Sequence, residues 1–194
     1  MTRGRIEAFS DGVIAILITI MVLELKAPRA LTFSALRPVL PTFLCYLFSY
    51  VIVGIYWVNH HHLFQTIHRV NGAVLWANLH LLFWLSLIPF TTAWMGGGLL
   101  SSASVALYGF VLLMAGVAYF ILTFTLLRLH GRHSTLGAAI GKDFKGKISV
   151  VIYAVAVPLA FVNRWISLVL YIAVALIWLV PDLRIERTLS HEAQ

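Results

Sequence analysis

The chain has one cysteine, Cys45, in 194 residues, so it cannot form an internal disulfide. Charge is equally scarce. Only 11% of residues are Asp, Glu, Lys or Arg, while 61% are hydrophobic; a soluble domain carries about a quarter charged residues. That deficit excludes a soluble fold with one anchor and implies an integral membrane protein. Acids are the rarest charges, seven against fourteen Lys and Arg. In a soluble chain such a balance would suggest nucleic acid. Here the basic residues sit in loops, where they set topology, and no nucleic-acid partner is expected. There is no small-residue cleavage site after the first apolar run, and Asp11 interrupts the approach to it, so the N-terminus reads as a retained first span. The chain also has no phosphate loop, no Ser-His-Asp order, no paired intramembrane carboxylates, no internal repeat and no TVGYG-like stretch. It is therefore not expected to be an enzyme or to need a cofactor.

What is present is a series of apolar runs. The first, about Ile6 to Leu25, opens in a polar cluster of Arg5, Glu7, Ser10 and Asp11 and then has twelve uncharged residues, Gly12 to Leu23. At about 1.5 Å per residue, a helix of this length spans roughly the 30 Å hydrocarbon core. A loop with Pro28 and Pro38 follows, in which 30–36 suit a short interfacial helix. The second span is expected over about 40–58, ending at Trp57, Asn59 and His60-His61-His62. The third covers about 73–95 with a kink at Pro89, and Gly96-Gly97-Gly98 makes a turn. The fourth covers about 102–129. A basic stretch, 128–147, precedes two short spans, 148–162 and 165–180, with a tight turn at Asn163-Arg164 to which Pro158 contributes. The expectation is an all-α, six-helix polytopic unit over 1–194. With the N-terminus inside, Arg3, Arg5, Arg69, Arg128, Arg132, Lys142, Lys145, Lys147, Arg184 and Arg187 face the cytoplasm, against Lys26, Arg29, Arg37 and Arg164 outside. Ten against four obeys the positive-inside rule and puts both termini in the cytoplasm of a cell-membrane protein.

These residues bear on three chemistries. For a metalloprotein, His60, His61 and His62 are the candidates. Adjacent residues on a helix point about 100° apart, however, and no Cys, Asp or Glu lies near to complete a zinc set; no metal is expected. For an ion-coupled transporter, the interior offers Asn78, His80, Thr91 and Thr92 without the repeated halves of such proteins. His80 reads better as a hydrogen-bond partner of Asp11 or Ser10. For a pore, Gly12, Ile16, Thr19, Ile20 and Leu23 fall on one face of the first helix. That face suits lipid or a neighbouring helix equally well. Repeated around a symmetry axis it would line a hole, with Ile16 as a hydrophobic constriction.

Arg5-x-x-x-Phe9-Ser10-Asp11 resembles the signature of the transmembrane protein 175 family, whose animal members are endosomal and lysosomal potassium channels. GIYWVNHHHLF (Gly54 to Phe64), Asn78, His80 and Pro89-Phe90-Thr91 resemble the family as well, and the likeness spans essentially the whole chain. It implies a homotetramer in the lipid bilayer, with the first helix around a central pore for monovalent cations, chiefly K+, and no carbonyl filter. It implies a narrowest ring at Ile16, a selectivity hydroxyl at Thr19 and further apolar pore positions at Ile20 and Leu23. Arg5, Phe9, Ser10 and Asp11 would instead hold the first helix to the second and third, with Trp57, Asn59, His61, Asn78 and His80 as partners. Glu24 stands near the outer mouth, as a ring of negative charge or as a partner of Lys26. Selectivity for potassium over sodium is expected to be modest.

Overall fold

The computed structural model describes residues 2–98, 100–131, 134, 136–137 and 144–179. Among them the ordered elements are all helical. They are α1 (Arg3–Val22), a 3-10 helix (Phe33–Val39), α2 (Leu40–Gln65), α3 (Gly72–Ser86), α4 (Ile88–Gly97), α5 (Ser102–His130), α6 (Phe144–Val162) and α7 (Arg164–Leu179). Four stretches are long and apolar enough to cross a bilayer: Phe33–Gln65, Gly72–Gly97, Ser102–His130 and Phe144–Val162. Helix α7 is apolar but has only 16 residues, and α1 carries Arg3, Arg5, Glu7 and Asp11 in its first half. The protein is thus an all-helical membrane protein with four to six apolar helices. Arg132, Lys142, Arg184 and Arg187 lie outside the described residues.

Local chemistry explains the boundaries, and several differ from expectation. Pro41 sits in the first turn of α2, where its missing N–H costs no internal bond. Helix α2 does not stop near Val58. It continues to Gln65, about 39 Å at the usual rise, so the three histidines ride on its last turns. Nothing there breaks the helix until Thr66, since His and Asn are tolerated helix residues. The break between α3 and α4 falls at Leu87, two residues before Pro89, because proline cannot donate to the preceding turn. The Thr91 and Thr92 hydroxyls donate back to the Leu87 and Ile88 carbonyls across this joint. Before α2, the short helix is a 3-10 segment at Phe33–Val39, displaced toward the chain's C-terminus from 30–36. Pro158 lies within α6 and makes no turn; the turn is at Asn163, whose side chain accepts from the Trp165 amide.

Packing divides the helices into two neighbourhoods. Helix α1 lies against α2, α3 and α4, whereas α5 packs on α3, α4, α6 and α7. Its buried Ala106, Ala115 and Ala118, with Ala156, Ala160 and Ala175 opposite, let backbones approach, as small residues do in membrane bundles. At Gly109 the approach is closest. A Cβ there would overlap the Tyr171 hydroxyl, which donates to the Val105 carbonyl at 3.3 Å.

Candidate functional site

Helix α1 has two apolar faces, and the structure treats them differently. Ile6, Ser10, Ile14, Leu17 and Met21 recur at i, i+4, i+8, i+11 and i+15 and are buried against the protomer's own helices. Gly12, Ile16, Thr19, Ile20 and Leu23 form the other face and are left exposed by the protomer, with Ile16 at 56% and Leu23 at 73%. On that face the Thr19 hydroxyl donates to the Ile16 carbonyl at 2.9 Å. Its proton is committed, so the oxygen presents only lone pairs outward, which is the polarity a cation prefers.

The first half of α1 is held by polar bonds. Ser10 is completely buried and accepts from Asn78 Nδ2 at 2.9 Å. Asn78 Oδ1 is then free to accept from His60 Nε2, 2.8 Å away. Asn78 thus bridges α1, α2 and α3 with one side chain. Beside it, Trp57 Nε1 donates to the Asp11 carboxylate at 3.0 Å. One turn toward the N-terminus, Glu7 meets His61 Nδ1 at 3.0 Å and Arg3 Nε at 3.6 Å. Gln65 Nε2 donates to the other nitrogen of His61 at 2.8 Å, and Arg3 also reaches the Gln65 and Ile67 carbonyls. Groups withdrawn from water in a bilayer must be satisfied by one another, and this clasp does so on three levels.

Several predicted partners sit elsewhere. His80 does not reach Asp11 or Ser10. It accepts from Trp84 Nε1 at 2.9 Å on its own helix, because two residues past Asn78 is about 200° around the axis. Asn59 donates to the Ile55 carbonyl within α2. Arg5 and Phe9 are exposed in the protomer, Phe9 at 52%, so within one subunit only Ser10 and Asp11 of the four motif residues bind α2 and α3. The histidine rings diverge. His60 turns to Asn78, stacking on Phe64 at 4.4 Å, and His61 turns to Glu7. Among the described residues no three potential ligands converge on a metal. Sequence reasoning assigned no bonding partner to Glu7, Arg3 or Gln65. The available signal was spacing: Arg3, Glu7 and Ser10 share the clasp face of α1. Glu24 is exposed, and the described ion pairs involve Glu7 alone.

A model of the family described as endosomal/lysosomal potassium channel TMEM175 matches residues 5–89, which hold the exposed α1 face and all of the clasp except Arg3. A protein named a potassium channel from Chryseobacterium sp. (strain P1-3) is 53% identical over 190 residues, covering 98% of this chain and 99% of the relative. The chain belongs to the TMEM175 family. The crystal structure of a lysosomal potassium-selective channel TMEM175 homolog from Chamaesiphon minutus superimposes with a TM-score of 0.77 at 28% identity, covering 93% of this chain and 97% of that one. Human TMEM175, named an endosomal/lysosomal proton channel, is 33% identical over 86 residues, 38% of this chain and 17% of the human protein. TMEM175 proteins are ion channels, not enzymes, and need no cofactor.

Proposed function

We propose that the protein is a homotetrameric potassium channel in the cell membrane, each subunit crossing six times with both termini cytoplasmic. The exposed face of α1 lines the pore. Ile16 forms the constriction, Thr19 supplies hydroxyl oxygens, and Ile20 and Leu23 continue the wall. The observation that carries this reading is the contrast between the two faces of α1. One is bonded and buried within the protomer; the other, equally apolar, has no protomer partner and holds a hydroxyl whose lone pairs point away. An aliphatic ring gates by excluding water and must be wetted for an ion to pass. Threonine oxygens replace only part of a hydration shell, so discrimination between potassium and sodium is modest. Arg5 and Phe9, exposed on α1, are left to contacts beyond the subunit. The relatives' printed names include potassium and proton channels, and the homologous potassium-selective structure favours potassium.

The test is ion flux through vesicles containing the purified protein, with potassium, sodium, caesium and proton gradients compared. Potassium should move down its gradient with no co-ion. Ile16→Ala and Ile16→Asn should raise the current and narrow the gap between potassium and sodium. Unchanged flux in both variants removes Ile16 from the pore, and flux carried by protons alone overturns the potassium assignment. The assembly should have a protein mass near 87 kDa, four times the 21.7 kDa of one chain.

A further inference from the structure

Away from the proposed pore face of α1 lies a second feature, lined by residues of α2, α5, α6 and α7. Helices α2, α5, α6 and α7 enclose a cavity lined by Tyr56, Asn59, Gly116, Ser149, Tyr153 and Trp178 among others. It offers about 50 Å³ to the centres of water-sized molecules, where one water needs roughly 10–15 Å³ on that measure. Most polar groups in its wall are already committed. Trp178 Nε1 donates to Ser149 Oγ at 2.8 Å, and Ser149 donates to the Lys145 carbonyl at 2.8 Å. The Tyr119 hydroxyl donates to the Asn59 carbonyl at 3.1 Å. Two groups are not committed. The hydroxyls of Tyr56 and Tyr153 hydrogen-bond to no described residue, although Tyr153 is only 3% exposed. Each hydroxyl can donate its proton and accept in return, so the cavity wall offers two uncommitted hydroxyls to a polar guest.

We propose that this cavity is a binding site for a small neutral amphiphile, with one hydroxyl-like head between Tyr56 and Tyr153 and a compact apolar body against Ile52, Val174 and Trp178. Charge argues against an ion of either sign: no Asp, Glu, Lys, Arg or His is among the described wall residues. Size excludes a whole acyl chain or a sterol. The space exists because residue 116 is glycine. A Cβ there would meet only Val150 Cγ2 at 3.7 Å and the Tyr56 hydroxyl at 3.9 Å, so a longer side chain would grow into the cavity.

The probe is 2,2,2-tribromoethanol, a compact alcohol whose bromines quench indole fluorescence on contact, titrated onto the full chain in lipid vesicles. Of six tryptophans, only Trp178 lines the cavity. The expected result is a saturable quench of about one-sixth of the emission, above a linear background from alcohol dissolved in lipid. Trp178→Phe and Gly116→Leu should remove the saturable part. Tyr153→Phe keeps the shape of the wall and should raise the half-saturating concentration about ten-fold, as for one lost buried hydrogen bond. If Gly116→Leu does not fold, the Tyr153→Phe shift decides. Quenching that is linear and equal in all the proteins overturns the proposal and leaves the cavity to water. A saturable part that survives Trp178→Phe also overturns it, because the alcohol then binds elsewhere.

Discussion

Helices α1 to α3 and helices α5 to α7 solve one packing problem in two ways. At the α1 end, Asn78, Asp11, Glu7 and their partners join helices through side-chain polar contacts. At the α5 end, alanines, Gly109 and the mutually tilted rings of Tyr108, Tyr153 and Tyr171 bring backbones together, with ring centroids 5.9–6.3 Å apart. Polar pegs specify one rotation and one depth of a helix. Small-residue seams specify closeness and tolerate some sliding. On the function proposed above, the helix whose rotation decides which residues face the pore is the one that is pegged.

Mutations should divide along the same line. The largest effect is expected from Gly109→Leu, which drives a side chain into Tyr171 and separates α7 from α5. A loss of about 3 kcal/mol, the upper end for overpacking, should appear as a sharp fall in the thermal midpoint in detergent. Asn78→Leu breaks two interhelical bonds and leaves Ser10 and His60 unpaired. It should cost about 1–3 kcal/mol and also alter ion selectivity, because α1 loses its rotational reference. An unaltered selectivity would mean that the pegs do not govern the pore. Tyr108→Phe removes the hydroxyl that meets Ser49 at 2.9 Å, in a group that also ties Thr92 of α4 to α2. About 1 kcal/mol should be lost, within the range of membrane-buried hydrogen bonds, with selectivity intact. Trp57→Phe keeps the ring and deletes the bond to Asp11. About 0.6 kcal/mol and a small change in current are expected, and a stability loss above that of Asn78→Leu would reverse the ranking of the pegs.

The positions of the apolar helices were legible because hydrophobic length and proline placement suffice for them. The joint near Pro89 and the turn at Asn163 follow from the same signals. The contrast within α1 was half legible: its candidate pore face could be written down, but periodicity did not distinguish that face from one packed on lipid. Partner choice was less accessible. In a bilayer, inward and outward faces are both apolar, so the pattern does not reveal how each helix is rotated. His80 and Asn78 illustrate this. Both are polar and two residues apart, yet one joins three helices while the other serves a tryptophan on its own helix. The tyrosine-lined cavity was hidden for the same reason, since its wall draws on four helices and on a glycine whose role is only to be small.

Every interhelical side-chain bond described for α1 falls between Arg3 and Asp11; beyond that point Ile14, Leu17 and Met21 hold it by apolar contact alone. Mechanically this is a cantilever, a rod fixed at its cytoplasmic end on the orientation proposed above. Deflection of such a rod grows with distance from the fixed point, which is about 7 Å for Ile16 and about 18 Å for Leu23 at the usual helical rise. A modest tilt would therefore swing the outer mouth widely while displacing the Ile16 ring little, and the clasp need not break for the helix to lean.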